Sequence, residues 1–578
     1  MARKNTGLKL GAALAASALL LTACGGSSSE GDSKGGTLTL LTQAEQILHL
    51  DPQRNYTGQD LAFAGTFLQR TLTAYNPAAG SEGTSIVPDL ATDLGTPSAD
   101  AKSWSFTLRD GVTFEDGSAI TCEDVKYGVS RIFATDIIVD GPTYAITMLD
   151  IPTNEDGSSV YKGPYVTEGN DTAAYDAAVS CSEDNKTITF NLKNPVADFN
   201  YTVTLLAFSP VPKDADTGEN YDDKPVSSGP YKITEYTIGQ QLVLDRNENW
   251  DPESDPFRKA LPDQVVVKFA QNPDLVDEAI INGVDDGKNA VGLDHVLPTN
   301  LEAVFTDDNM ADRRLNDYDP YVTYTAFNVS KLNCLPIRQA IFYALNREGL
   351  RALAGGPEFV GDYADGLIKP AVLPTDYKPV TGYEDFNPAG NVEKATALME
   401  QAKTECPDLY TRVTTEGITL DTTDTPTNQQ AVPIWTESLA KAGIVINVNL
   451  IEPGQYYGVV LNPEAQGDLS RAGWAADWLN ASTVIPELVG DGGFNLTRNQ
   501  DDPAYADFIA KSNAAKANTD RAAQGAAWAE LNQIAMDNMW VLPGVFSKAQ
   551  FIWGENVSGV YLWAPFGCPG FNDIAVKA

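Results

Sequence analysis

The chain has 578 residues, enough for about three or four domains of ordinary size. Apolar residues make up 43% and charged residues 20%, a balance that favours a folded protein over a disordered one. A net charge of −38 repels phosphate backbones and therefore excludes sequence-independent nucleic-acid binding. The two histidines, His49 and His295, exclude a histidine-rich metal site and disfavour a Ser-His-Asp hydrolase.

The N-terminal segment has the pattern of a signal peptide. Three basic residues precede an apolar run over residues 10–21, which is shorter than the ~20 residues that span a bilayer. The run ends in Leu21-Thr-Ala-Cys24, followed by glycines and serines, and this resembles the lipobox of bacterial lipoproteins. The resemblance implies cleavage after residue 23, a diacylglyceryl (palmitate-type) anchor on Cys24 and a tether over residues 24–36. The alternative is an ordinary cleaved signal with a chance cysteine.

Five further cysteines follow Cys24, and export permits disulfide bonds. Their odd number leaves at least one thiol unpaired if every bond is intramolecular. None of them has C-x-x-C spacing, which argues against zinc and thioredoxin-like sites. We expect Cys122 to pair with Cys181, and Cys334 with Cys406.

Hydrophobic periodicity predicts strands and helices that alternate along the chain. Alternating strand patterns occur at residues 37–42, 104–109, 186–192, 231–244 (two strands around Gly239), 265–269 and 444–451. Helical spacing occurs at residues 60–72, 121–133, 335–353, 392–402, 432–442 and 521–539. Residues 136–178 are predicted to form a long irregular excursion. The outline is an α/β fold with several lobes.

Motifs along the chain resemble one family of exported proteins. The most specific segment, Trp104 to Val129, combines a strand, two Asp-Gly turns and a helix that opens with Glu-Asp-Val. Shorter motifs occur in the same order as in the family, at residues 50–52, 228–232, 244–250, 327–328, 336–350 and 440–444. Together they resemble the solute-binding lipoproteins of bacterial ABC importers, specifically the large peptide/nickel-binding class. The resemblance implies a two-lobed, hinge-bending, periplasmic-binding-protein-like α/β fold with an extra subdomain.

The same resemblance implies an approximate division of the chain. Lobe I is expected from residues 37–55, 205–325 and 545–578, with an inserted subdomain at 56–204. Lobe II is expected from residues 326–544, and the hinge near residues 326–329.

The segment from Asp468 to Asn480 carries the candidate site. On its own pattern it is a strand that ends at Gly473-Trp474, followed by an acid at Asp477. A purely structural interpretation makes Trp474 a core residue, Asp477 a helix cap and Arg471 a surface partner. The alternative interpretation depends on the family motif R-A-G-W-x-A-D-Y, which this segment matches except that Trp478 replaces the tyrosine.

That motif implies a ligand site in the cleft between the lobes. Asp477 would bind the α-ammonium of a peptide, while Gly473, Trp474 and Ala475 would offer main-chain groups to it. Arg471 would meet a ligand carboxylate. The facing lobe would contribute Tyr56, Thr57 and Gly58, and Tyr456 would lie near an aromatic pocket.

Two departures from the family leave the ligand open. The motif is not followed by N-E-P or D-P, and residues 427–430 lack the histidine that family members use for the peptide carboxylate. Non-peptide solutes, such as an oligosaccharide, a metal chelate or an opine, therefore remain alternatives. An enzyme, for example a secreted hydrolase, is disfavoured because the usual catalytic motifs are absent from the sequence. A peptide-sensing or chaperone role at the envelope would use the same site.

The resulting prediction is the substrate-binding component of an ABC importer that needs no cofactor and no metal. It would be a monomer, held on the extracytoplasmic face of the cell membrane through its lipid anchor alone. Its partners would be a peptide ligand and the transmembrane subunits of a permease.

Overall fold

The structure, a computed structural model, describes residues 35–577. The predicted signal peptide, the predicted lipidation site Cys24 and all but two residues of the tether lie outside this range. Within residues 35–577, no helix combines the length and apolar character that a bilayer crossing requires.

The strands and helices alternate along the chain, as the periodicity predicts. Up to residue 310 they are β1 (Thr37–Leu41), α1 (Gly58–Phe67), β2 (Thr73–Tyr75), β3 (Ile86–Pro88), β4 (Thr96–Pro97), β5 (Ser103–Thr107), α2 (Cys122–Arg131), α3 (Tyr144–Met148), α4 (Thr172–Ala178), β6 (Val179–Cys181), β7 (Thr187–Asn191), α5 (Phe199–Thr202), β8 (Tyr231–Thr237), β9 (Gln241–Arg246), β10 (Gln264–Lys268), α6 (Pro273–Asn282), β11 (Ala290–Gly292) and α7 (Leu301–Thr306).

The remaining elements follow from residue 314. They are β12 (Arg314–Phe327), α8 (Leu335–Ala344), α9 (Arg347–Leu353), α10 (Pro357–Val360), β13 (Asp362–Tyr363), α11 (Val392–Glu405), α12 (Pro407–Thr415), β14 (Ile418–Thr423), α13 (Pro426–Ala440), β15 (Ile446–Ile451), α14 (Tyr456–Val460), β16 (Leu469–Trp474), α15 (Ile485–Val489), α16 (Tyr505–Lys516), α17 (Arg521–Asp537), β17 (Val541–Ile552), β18 (Val557–Ser558), β19 (Leu562–Trp563), β20 (Cys568–Pro569) and β21 (Ala575–Val576).

Three sheets organise these elements into two lobes. A five-stranded sheet has the order β11-β1-β10-β9-β8, and a four-stranded sheet has the order β4-β5-β7-β6. One hydrophobic core joins these two sheets, with Leu40 and Leu244 from the first and Phe106 and Phe190 from the second. We call this part the first lobe. The second lobe is built on the six-stranded sheet β13-β17-β12-β16-β14-β15 and has its own core.

Strands β12 and β17 form an antiparallel ribbon that connects the lobes. At one end Ile552 packs with Leu41 in the core of the five-stranded sheet. At the other end Phe327 and Leu542 belong to the core of the second lobe. The pairing register shifts between Tyr318 and Val322, so the ribbon is irregular near its middle.

Three predicted helices differ from those in the structure. Helix α13 begins at Pro426, ahead of the predicted start at residue 432, and the Thr425 side chain accepts a hydrogen bond from the Asn428 amide at that start. The segment 335–353 forms two helices, α8 and α9, because the Asn346 side chain accepts a hydrogen bond from the Gly349 amide and starts a new helix. Helix α1 begins at Gly58 and ends at Phe67, before the predicted end at residue 72. Beyond this end, the Arg70 guanidinium is buried against the Asp89 carboxylate at 2.8 Å.

Local interactions support the other predictions. Helix α2 begins with a capping box in which Thr121 and Asp124 satisfy each other's backbone amides. The structure pairs Cys122 with Cys181 and Cys334 with Cys406, as expected from the sequence. Cys568 is buried as a free thiol.

Candidate ligand-binding site

A cavity of about 310 Å³ lies between the lobes at the end of β16. The first lobe contributes the backbone turn at Tyr56, Thr57 and Gly58, which leads into α1. The second lobe contributes residues 473–477. The structure therefore brings the two predicted halves of the site to one cavity.

Gly58 lies at a point of close approach between backbones. A Cβ atom at this position would lie 2.8 Å from the carbonyl oxygen of Phe566, which also lines the cavity. Gly58 therefore lets the C-terminal segment pack against the start of α1 at the wall of the cavity.

The edge of β16 that faces away from β12 is only partly covered. Strand β12 pairs with β16 along its whole length, from Leu469 to Trp474. On the opposite edge, β14 pairs with only two residues, Leu469 and Ser470. Within the described residues, β16 beyond Ser470 thus has an edge without a neighbouring strand. Such an edge offers its main-chain groups to an extended ligand.

Trp474 is held in place at the end of this edge. Its indole nitrogen donates a hydrogen bond of 2.8 Å to the carbonyl oxygen of Thr483, and its ring packs against Phe494 at 4.9 Å. Trp474 is partly buried and packs on the core of the second lobe while also lining the cavity. It therefore serves as core and as cavity wall at once.

Asp477 presents a carboxylate with tyrosine partners. Its Oδ2 accepts a 3.0 Å hydrogen bond from the Tyr56 hydroxyl and a second from the Tyr144 hydroxyl. Its amide donates to Thr483 Oγ1 at 3.1 Å. Burial raises the pKa of the Asp477 carboxyl to about 7; the nearby Glu487 carboxylate adds to this rise and the tyrosine hydroxyls oppose it. No cationic side chain of the described residues pairs with Asp477.

Tyr144 is a site residue that the sequence reasoning missed. It starts the short helix α3 inside the segment predicted as irregular, and its ring packs edge-on against Trp478 at 4.7 Å. No periodicity or motif marks this position. The one available signal was an aromatic residue in a segment rich in glycine and aspartate.

Arg471 lies on the other side of Gly473 from Asp477, in a second cavity of about 540 Å³. Its Nη1 donates a hydrogen bond of 2.6 Å to Asn428 Oδ1 in the segment 427–430. Tyr456 is buried behind β16, and its hydroxyl donates to the carbonyl oxygen of Arg471. The prediction placed Tyr456 near an aromatic pocket, but of these two neighbouring tyrosines it is Tyr457, 46% exposed, that lines the first cavity.

The side chains of the cleft suit an organic ligand better than a metal ion. Among residues 35–577, no cluster of His, Cys, Asp and Glu side chains is arranged to hold a metal ion. What the cleft does provide is a carboxylate without a cationic partner, an open strand edge and aromatic walls, which together suit an organic ligand with a positively charged group.

The chain is similar to known solute-binding proteins over nearly its whole length. Residues 85–495 match the model for bacterial extracellular solute-binding proteins, family 5. The oligopeptide-binding protein OppA of Bacillus subtilis is 24% identical over 96% of both chains. Among solved structures, clavulanic acid biosynthesis oligopeptide binding protein 2 is 28% identical, with a TM-score of 0.82 over 94% of this chain and 96% of that one. Haemophilus influenzae OppA, solved with the peptide RPPGFSPFR, has a TM-score of 0.70 at 16% identity over 95% of this chain and all of the other.

The two lobes and the cleft between them define a two-lobed solute-binding protein. The chain belongs to family 5 of the bacterial extracellular solute-binding proteins. This confirms the family and the fold that the motifs predicted.

Proposed function

We propose that this protein captures peptides in the cleft and delivers them to the permease of an ABC importer. Asp477 binds the α-ammonium of the peptide, and the main chain of Gly473, Trp474 and Ala475, at the open end of β16, pairs with its backbone. Main-chain pairing accepts many sequences, because it reads the peptide bond and not the side chains. The aromatic walls of the first cavity accommodate the side chain next to the ammonium.

The single observation that carries this proposal is the position of Asp477. A carboxylate without a cationic partner lies at the end of an uncovered strand edge, so one ligand can use both features at once. An α-ammonium followed by a peptide backbone is the chemistry that fits them. A charge-assisted hydrogen bond of this kind contributes about 1.5–3 kcal/mol. Relatives named as oligopeptide-binding proteins add support.

We propose the division into lobes and the anchor as parts of the same function. Lobe I comprises residues 37–55, 205–325 and 545–578 with the inserted subdomain 56–204, and lobe II comprises residues 326–544. The lobes close on the ligand by bending at the β12–β17 ribbon. A lipid anchor at Cys24 holds the monomer at the outer face of the membrane, where the permease receives the ligand.

The test is native mass spectrometry of the protein purified from its source without refolding. We expect a series of bound masses that fragment as peptides with free amino termini. A single discrete non-peptide mass would replace the peptide with another solute, such as an oligosaccharide. Turnover of added peptides into fragments would contradict a binding function altogether.

A further inference from the structure

The second cavity carries most of the unpaired positive charge near the cleft. Four cationic side chains line it, namely Arg347, Arg351, Arg471 and Lys548. Their polar partners within the described residues are neutral: carbonyl oxygens for three of them and the Asn428 amide oxygen for Arg471. The chain has a net charge of −38, yet four cationic side chains line this one cavity and none of them forms a salt bridge with a carboxylate of the described residues.

One acid also lines this cavity, but its charge is already compensated. Asp319 Oδ1 lies 3.2 Å from the Lys369 ammonium and accepts a 2.6 Å hydrogen bond from Ser547 Oγ. The exposed Asp362, beside the cavity, accepts a hydrogen bond from Tyr318. Asp362 is not among the residues that line the cavity, and the one lining acid is paired, so the four lining cations give the cavity wall a positive excess.

Arg347 provides the strongest sign of a missing partner. Its side chain is 4% exposed, and both Nε and Nη2 are buried without a hydrogen-bond acceptor. The guanidinium lies 3.8 Å above the Phe386 ring and donates one hydrogen bond of 2.8 Å, to the carbonyl oxygen of Pro543. Nε of Arg351, one helical turn further along α9, is also buried without a partner. Leaving such donors unsatisfied is costly unless a ligand supplies acceptors.

The two cavities are adjacent. Tyr321 and Gly473 line both of them, so a ligand that follows the edge of β16 from Asp477 passes Gly473 and reaches Arg471. Arg471 lies six positions before Asp477 in the chain, which limits their separation to about 20 Å, the length of an extended peptide of about six residues.

We propose that the second cavity selects peptides with an acidic side chain near their C-terminal end. Arg351 and Lys548 bind that side chain, and the buried Arg347 adds its positive charge to the same cavity wall. The inference builds on the proposed function. The family resemblance assigns a ligand carboxylate to Arg471, and we take this to be the C-terminal carboxylate, for which Arg471 alone suffices. The three further cations come from α9 and β17 and not from β16. A ligand whose backbone follows the edge of β16 would therefore meet them with a side chain.

The test uses alanine peptides of three to six residues, measured by isothermal titration calorimetry at pH 7.5. Each length is made in four forms, with Glu or Gln at the last position and with a free or an amidated C terminus. We expect Glu to bind about tenfold more tightly than Gln at the best length, with either C terminus. The variants R351Q and K548Q should reduce this ratio to about threefold or less. The control K403Q, at an exposed position of α11, should keep the full ratio.

The outcomes separate the two proposals. If peptides bind but Glu and Gln differ by less than about twofold, the acidic selectivity is wrong and peptide capture stands. The same conclusion follows if amidation of the C terminus weakens binding but the change from Glu to Gln does not, because the cavity then binds only the C-terminal carboxylate. An unchanged ratio in both R351Q and K548Q would also overturn the inference. If no peptide binds in any form, the proposed function fails and the inference fails with it.

Discussion

The indole nitrogen of Trp478 in the second lobe donates a hydrogen bond of 3.0 Å to the carboxylate of Asp198 in the first lobe. The same oxygen accepts a 2.7 Å hydrogen bond from the Asn480 amide. Together with the two tyrosine hydroxyls on Asp477, these contacts join the lobes across the cleft in this structure.

Removing the Asp198 carboxylate should favour the open arrangement. In D198A the Trp478 and Asn480 donors lose their acceptor, and each unsatisfied buried donor costs about 1–3 kcal/mol in the closed state. We expect peptide affinity to fall at least about tenfold and the radius of gyration from small-angle X-ray scattering to increase. D136A, at an exposed position of the same subdomain, serves as control and should change neither quantity. Equal scattering curves for D198A and the wild type would contradict the role of this contact.

Asp477 should account for recognition of the ammonium group. We expect D477N to lose about 2–5 kcal/mol in binding a peptide with a free amino terminus, because the ligand charge is left unpaired in a partly buried site. Acetylating the peptide should cost the wild type a similar amount and cost D477N little. Calorimetry measures all four combinations. A loss below about 0.5 kcal/mol in D477N would show that the ammonium lies elsewhere.

The pH dependence of binding should follow the same carboxyl. Its pKa is raised to about 7 in the ligand-free protein, so the group becomes protonated and neutral below that pH. An ammonium ligand binds the charged form, and affinity should therefore fall by up to about tenfold per pH unit below 7. Above roughly pH 8 the α-amino group of the peptide loses its own charge, and affinity should fall again. Titrations from pH 5 to 9 should show a maximum between these limits, and the acid limb should disappear in D477N.

The Cys122–Cys181 bond should stabilise the first lobe without affecting binding. It closes a loop with a sequence separation of 59, for which chain entropy predicts about 4 kcal/mol of stabilisation. We expect the double variant C122A/C181A to unfold at a lower urea concentration, with an unchanged affinity for peptide, because neither cysteine lines the cavity. Adding reductant to the wild type should lower the midpoint at least as far, because reductant also opens the Cys334–Cys406 bond. An unchanged midpoint would mean that the loop is constrained by packing alone.

The anchor can be tested at Cys24. We expect C24S to appear in the soluble extracellular or periplasmic fraction of the source cell, whereas the wild type sediments with membranes. Labelling with radioactive palmitate should mark the wild type and not C24S. Membrane sedimentation of C24S would contradict lipidation at this residue.

The sequence determined the family and one half of the cleft more readily than the other half. Asp477 was predicted because it belongs to the motif that begins at Arg471, and Tyr56 because it follows the motif at residues 50–52. Tyr144 was not, because its contact with Asp477 joins positions that are 333 residues apart and nothing local encodes that proximity. The break at Asn346 escaped prediction for the opposite reason: a single side-chain hydrogen bond ended a helix whose apolar spacing continued unbroken. The cations of the second cavity come from α9, β16 and β17, so the cluster exists only after folding.

The ribbon of β12 and β17 links the connection between the lobes to the walls of the two cavities. The Lys369 ammonium donates hydrogen bonds to the carbonyl oxygens of Tyr321 in β12 and Ser547 in β17. It therefore bridges the two strands at the point where their pairing register shifts. Tyr321 also forms a wall of both ligand cavities. Tyr321 therefore belongs both to the irregular part of the ribbon and to the walls of the two cavities, so any bend of the ribbon at this point also displaces a cavity wall.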